Sequence, residues 1–228
     1  MFYQEWTRSK EDGVDCSRFA LSFLDYSEES VQPFLIGSVD EVVSAIKLLL
    51  SVSVDELLCL IKTDIVFSSK DIFQYSNLED AIVTLCNILE YESEALSFFE
   101  AGQKLTKSDS ELACVKYGEN HIKLAEALSL VKLEKINYKN AQKARITSLG
   151  SVFARLSSAE KYELIRRLAL RNSFVKSLIY NAKNEEITYC SLASRVLSGQ
   201  TILRRKHNVE IIVDIILADH PIKNNIRW

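Results

Sequence analysis

Hydrophobic residues recur every three or four positions along much of the chain, the spacing that places them on one face of a helix. The segment Val39–Leu50 shows the pattern most clearly. Ser38 precedes it and Glu41 follows three residues later, which is the capping box of a helix start. We therefore predict a helix here, with these residues on its buried face: Val42, Val43, Ile46, Leu49 and Leu50.

The same spacing predicts helices through most of the rest of the chain. A long one is expected to run from Asn77, as its N-cap, to Ala101, with Gly102 ending it. The sequence has only 6 Gly and 2 Pro, which favours helices over strands and turns, so the predicted fold is mostly α. The other predicted helices are Val54–Ile61, Ser148–Leu156, Ala159–Leu170, Ser173–Ala182, Ser191–Leu197 and Thr201–Leu217.

The middle of the chain predicts two helices followed by a hairpin. Helices are expected at Ser110–Tyr117 and Glu119–Val131, joined by a tight turn at Gly118. Candidate strands follow at Leu133–Ile136 and Ala144–Thr147, on either side of a polar, basic loop. Helix, helix and a hairpin with a basic tip is the order of a winged helix.

The helices after residue 157 repeat this outline, with a polar break at 183–186 and a turn at 198–200 before a long helix. Residues 220–228 are too short for a full hairpin, so a wing there would be vestigial. We predict tandem winged-helix or helix-turn-helix units behind an acidic helical region. The predicted domains are 1–76, 77–156 and 157–228.

Charge divides the chain into an acidic front and a basic back. Residues 132–228 contain 18 Lys and Arg against 8 Asp and Glu, whereas residues 1–131 contain 10 against 23, and the two balances, +10 and −13, give the net charge of −3. A one-sided basic surface is typical of proteins that bind a phosphate backbone. The alternative is a solvated helical surface that is rich in lysine.

Candidate DNA contacts occur where basic residues coincide with these helix starts and the hairpin. Arg pairs with guanine and Asn or Gln with adenine, and the first turns of a recognition helix meet base edges. We assign a base contact to Arg204 and a backbone contact to Arg205, since the two point about 100° apart on a helix. His121 could instead be satisfied by the backbone. The full predicted set is Gln200, Thr201, Arg204, Arg205, His207, Asn208, Asn120, His121, Lys123, Tyr138, Lys139, Lys143 and Arg145.

The sequence contains no recognisable catalytic constellation. Its three histidines lack metalloprotease spacing, and it has neither a phosphate-binding glycine loop nor a nucleophile elbow. We expect a binding protein rather than an enzyme, with no cofactor and no metal; a compact nuclease with an unusual site is the less favoured reading. Five scattered cysteines, a polar N-terminus and short apolar stretches predict a cytoplasmic protein with no membrane partner.

Two motifs carry a resemblance to a known class of module. The run 117–125, YGENHIKLA, with the downstream ITSLG at 146–150, resembles the first winged helix of a bacterial DNA-recognition module. The start TILRR at 201–205 resembles the second. Such tandem modules are similar to the DNA-binding parts of type II restriction endonucleases and related phage-defence proteins, although no nuclease domain is found in this chain.

The resemblance implies binding of double-stranded DNA as the recognition subunit of a restriction-modification or phage-defence system. The alternatives are a winged-helix adaptor in a larger complex and a transcriptional regulator. The acidic N-terminal half could bind a protein partner or a second copy of the chain.

Overall fold

The computed structural model describes residues 23–24, 37–75, 77–136, 142–218 and 220–228. The described chain is mostly helical, as predicted, with two small sheets. It divides into two compact units. The second unit comprises residues 37–45 and Gln74–Ser158, and the first includes Ile46–Phe73 and Ala159–Trp228. The three-domain division remains a prediction.

Helices α1 (Val39–Ser51) and α2 (Val54–Leu60) occupy their predicted positions. Both begin with a capping box, and the sequence predicts the one at the start of α1. At the first, the Ser38 N–H donates to the Glu41 carboxylate at 2.7 Å, while the Glu41 N–H donates back to the Ser38 hydroxyl at 3.3 Å. Ser53 and Glu56 repeat this exchange at the start of α2.

In the second unit, a π-helical turn, Asp80–Thr84, continues into α3 (Leu85–Glu90). The elements that follow form a helical pair and a sheet. In chain order they are β1 (Leu96–Ser97), α4 (Phe98–Leu105), α5 (Glu111–Ala127), β2 (Val131–Lys135), β3 (Gln142–Ile146) and α6 (Ser148–Arg155).

The sheet of the second unit is antiparallel, with β3 at its centre and strand order β1-β3-β2. Leu96 and Leu133 both lie opposite Ala144, whose side chain is fully buried. The predicted hairpin is therefore confirmed, and both of its strands start two residues earlier than expected. The apolar face of the sheet contributes to a core with Leu85, Ile122 and Phe153.

The predicted helix Asn77–Ala101 and the predicted turn at Gly118 are both wrong. The first helix ends at Glu90, and Gly102 lies inside α4; Gly118 lies in the middle of the continuous helix α5. Each glycine instead permits close approach of these two helices. A Cβ at Gly102 would lie 1.9 Å from the Cys114 carbonyl oxygen, and one at Gly118 would lie 2.0 Å from that of Phe98.

After Ala169, the first unit repeats the order of the second: helix, short strand, helix, long helix and strand. After α7 (Ser158–Ala169) come α8 (Ser173–Asn184), β4 (Ile187–Thr188), α9 (Tyr189–Ala193) and α10 (Gly199–Leu217). A 3-10 turn at Pro221–Asn225 then leads into β5 (Ile226–Arg227), which pairs with β4 in parallel. No full hairpin occurs in residues 220–228, as the sequence predicts.

An aromatic cluster anchors the start of α9 in the core of the first unit. The ring of Tyr189 packs against Phe174 and Trp228, with centroids 5.8 and 5.7 Å away. Its hydroxyl donates to the Ile202 carbonyl oxygen at 3.2 Å. Burial raises the pKa of Tyr189 to about 12, so its proton stays in this hydrogen bond. The cluster thereby fixes α9 against the first turns of α10.

Candidate nucleic-acid interface

The first turns of α10 present one face that is open to solvent. Residues 194–198 link α9 to α10, and the residues beyond them alternate between core and surface. Ile202 and Val209 are buried, whereas Gln200, Arg204 and His207 are exposed at intervals of three and four residues. Leu203, in the same stretch, is 66% exposed. We call Gln200, Leu203, Arg204 and His207 the α10 face.

Arg204 is the accessible cation of this face. Within the described residues, no carboxylate lies within salt-bridge distance of Arg204; on the same helix, His207 Nδ1 lies 3.8 Å from the Glu210 carboxylate. A guanidinium without an acidic neighbour can pair with an external acceptor without first breaking an internal bond. Arg204 is therefore accessible to an external ligand, and its role as a base-reading residue stays a prediction.

Arg205 is not accessible in the same way, although the sequence predicts a phosphate contact for it. Its Nη1 donates to the Ser69 carbonyl oxygen at 2.7 Å and to that of Ile72 at 3.0 Å. Partial burial and the charge of Arg204 both lower the pKa of the Arg205 guanidinium. The assignment of Arg205 to the DNA backbone is therefore corrected: this side chain holds the 69–72 turn within its own unit.

The two other predicted residues of this helix are partly buried. Thr201 and Asn208 are intermediate in exposure, and the Thr201 N–H donates to the Ser198 carbonyl oxygen at 2.9 Å. Ser198 occupies the N-cap position, with no side-chain cap hydrogen bond. Thr201 and Asn208 are therefore less exposed than Gln200 and His207 and are not counted in the α10 face.

Helix α5 contains the predicted contacts Asn120, His121 and Lys123, and they differ in environment. Asn120 is partly exposed, and Lys123 is exposed but forms an ion pair with Glu119 at 2.5 Å. His121 is fully buried. The structure therefore excludes His121 from the surface, and its assignment as a DNA contact is corrected.

His121 joins two helical segments of the second unit. Its Nε2 accepts the Asn77 N–H at 3.2 Å, so Nδ1 carries the proton and donates to the Tyr117 carbonyl oxygen at 2.6 Å. The Tyr117 ring stacks on the imidazole at 4.0 Å and its hydroxyl donates to Asp80 at 2.7 Å. Burial lowers the pKa of His121, with Asp80 opposing the shift. The backbone satisfies this histidine, as the sequence-based alternative proposed.

The hairpin carries the remaining predicted residues. Arg145 is exposed and pairs with Glu134 at 3.3 Å, while Lys143 is partly exposed and lies near the carboxylate of Glu100, whose pKa is lowered mainly by hydrogen bonds from Ser97. The predicted contacts Tyr138 and Lys139 lie outside the described residues. Both described cations are thus partly neutralised by acids of their own unit.

Several basic residues of the back half serve as helix C-caps within the first unit. Arg167 donates to the Leu49 and Val52 carbonyl oxygens at the end of α1, at 3.0 and 3.2 Å. Lys183 donates to those of Leu58 and Ile61 at the end of α2. Cations stabilise the unpaired carbonyl groups and partial negative charge of a helix C-terminus. No local pattern in the sequence predicts these contacts, because the partners are more than a hundred residues apart.

The residues that carry the family resemblance also have packing roles. Thr147 caps α6 by accepting the Gly150 N–H at 3.0 Å, and its hydroxyl donates to the Ser129 carbonyl oxygen at 2.8 Å. A Cβ at Gly150 would lie 2.1 Å from the Leu130 carbonyl oxygen. The motif at 146–150 therefore fixes α6 against the turn before β2.

Comparison with protein-family models, with curated proteins and with solved structures finds no match to this chain. The resemblance to bacterial DNA-recognition modules thus stays a prediction from the motif residues. Among the described residues, no group of three His, Cys, Asp or Glu side chains could hold a metal ion. No helix in the described part of the chain is long and apolar enough to span a membrane.

Proposed function

We propose that the protein binds double-stranded DNA, with the start of α10 in the major groove. The observation that carries the proposal is the α10 face: an exposed amide at Gln200, an accessible guanidinium at Arg204 and an imidazole at His207 on successive turns. Amides pair with adenine and guanidinium groups with guanine at the major-groove edge. A helix that follows a short helix and turn presents these groups at its N-terminal end, as groove-binding helices do.

The second unit supports the proposal as a winged helix. Its order of helix, strand, helix, long helix and hairpin, with sheet order β1-β3-β2, is that expected of a winged helix. Arg145 is exposed and Lys132 is partly exposed, and both lie beside Glu134 on the hairpin. These two cations would then contact the DNA backbone, which positions a protein without reading sequence. A recognition subunit of a restriction or defence system, as the resemblance implies, needs this binding activity and no catalytic site of its own.

A protein-binding role for the second unit is the second candidate, and the surface of α5 favours it. Glu111 and Leu112 are exposed in its first turn, and Glu119 neutralises Lys123. This surface offers little positive charge to phosphates and an exposed leucine to a protein. An adaptor would therefore use α5 for its partner, independently of the α10 face.

Two charge-removing variants test the proposal. Arg204→Ala and Lys47→Ala each remove one exposed cation, and Lys47 lies on α1 rather than on the α10 face. Affinity for a duplex selected from a random-sequence pool is measured by fluorescence anisotropy. We expect Arg204→Ala to weaken binding by about 1–3 kcal/mol, as loss of a guanine contact does, and Lys47→Ala to bind like the unaltered protein. Equal affinities for all three proteins would reject the α10 face as the binding surface.

A further inference from the structure

Leu203 is the one large hydrophobic side chain that is exposed on α10, a helix which the structure describes in full. Its neighbours on the helix surface, Gln200 and His207, are polar. A Cβ added at Gly199, one turn before Leu203, would meet no atom within 4 Å, so the space beside the leucine is open. Leu203 therefore stands alone in a polar surface that is accessible from outside.

The polar surroundings of Leu203 suit contact with a small apolar group better than contact with a protein partner. Protein-binding patches are contiguous apolar areas of several hundred Å², whereas one leucine between an amide and an imidazole forms no such patch. The major groove presents a single apolar group, the 5-methyl of a pyrimidine, next to the donors and acceptors that Gln and Arg read. The α10 face places an apolar side chain, Leu203, beside the amide of Gln200 and the guanidinium of Arg204.

We propose that Leu203 determines specificity by packing against a pyrimidine 5-methyl group beside the base that Arg204 reads, an inference that rests on the proposed DNA-binding function. Thymine and 5-methylcytosine both supply this methyl group. Burying one methyl-sized group favours binding by about 0.8 kcal/mol, which corresponds to a factor of about four in affinity.

The test uses duplexes that differ only in methyl groups. A duplex is selected from a random pool that contains thymine and 5-methylcytosine, then resynthesised with uracil for each thymine or cytosine for each 5-methylcytosine. We expect one of these replacements to weaken binding about fourfold per contacted methyl. Whichever replacement has this effect identifies the source of the methyl group.

Protein variants separate a contact to Leu203 from a general effect of the methyl groups on duplex shape. Leu203→Ala should bind the methylated and unmethylated duplexes equally, whereas Val66→Ala, which shortens another exposed aliphatic side chain of the same unit, should keep the fourfold difference. The same methyl effect in Leu203→Ala, or none in the unaltered protein, overturns the inference. Failure to bind any duplex would instead reject the proposed function.

Discussion

Two neighbouring arginines on α10 illustrate how one position along a helix changes the role of a side chain. Arg204 points to solvent, and Arg205 donates to two carbonyl oxygens of the 69–72 turn. The sequence predicts that the two point in different directions, since successive helical residues differ by about 100°. It could not predict that Arg205 would meet backbone atoms more than 130 residues away, because nothing local marks those partners.

The two arginines should therefore differ in their contribution to stability. Arg205→Ala removes two hydrogen bonds from a charged, partly buried donor and leaves the Ser69 and Ile72 carbonyl oxygens without it. We expect the free energy of unfolding in urea to fall by about 2 kcal/mol. Arg204→Ala is the matched control and should change it by less than about 0.5 kcal/mol. A similar loss from both variants would contradict the contacts assigned here.

Stability should also depend on the protonation of His121. Because the fold lowers its pKa, the unfolded chain binds the proton more tightly than the folded one. The stabilisation is fully present above the unfolded pKa of about 6.5 and is lost as pH falls below it, by up to about 1.4 kcal/mol per pH unit. The Tyr117 carbonyl oxygen and the Asp80 carboxylate both raise the pKa of His121, but the effect of burial is larger.

Urea unfolding between pH 5 and 7 measures this dependence. His121→Gln has no titrating group at this position, so we expect its stability to change less across the range than that of the unaltered protein. His207→Gln, which alters an exposed histidine, should keep the full dependence. An identical pH profile in His121→Gln would show that other groups cause the acid sensitivity.

Helices α4 and α5 contain two glycines that the sequence predicts to be a helix end and a turn. Gly102 and Gly118 interrupt the spacing of apolar residues along the sequence. They lie inside helices, where they allow close packing, and not in turns. The carbonyl oxygens of Cys114 and Phe98 occupy the space where their Cβ atoms would lie. A glycine that ends a helix and one that admits a neighbouring helix look alike in one sequence, because the difference depends on tertiary contacts.

Two alanine substitutions test this interpretation of the glycines. Gly118→Ala would place a Cβ 2.0 Å from a backbone oxygen, so the helices must separate, and we expect a loss of about 3 kcal/mol in the free energy of unfolding. Gly199→Ala meets no atom within 4 Å and adds helix propensity, which should raise stability by about 0.5 kcal/mol. Thermal or urea denaturation distinguishes the two, and a tolerated Gly118→Ala would disprove the close approach.

Most other elements could be predicted from local signals. The capping box of Ser38 and Glu41 marks the start of α1, and the polar, basic loop between two candidate strands marks the hairpin. The break between α3 and β1 was missed, because the apolar spacing continues through residues 91–97 although the helix ends at Glu90. Local patterns locate where a helix can form, whereas the packing of the unit determines where it ends.

At the scale of the whole molecule, fewer basic residues of the back half are available to a ligand than the charge count of the sequence suggests. Arg167, Lys183 and Arg205 donate to backbone carbonyl oxygens of the segment 46–73, and Arg166 donates to that of Ile216 at the end of α10. These cations stabilise helix ends and turns. Charge counting could predict a basic half, but not which of its residues remain available to a ligand.

The salt dependence of duplex binding tests the central claim most directly. Affinity of the full chain for one selected duplex is measured from low to physiological salt. Since several cations are engaged within the fold, we expect few phosphate contacts, and a plot of log affinity against log salt concentration should fall with a slope of about −2 to −4. An affinity that does not change with salt, or no binding at the lowest salt concentration, would contradict the claim that this protein binds DNA.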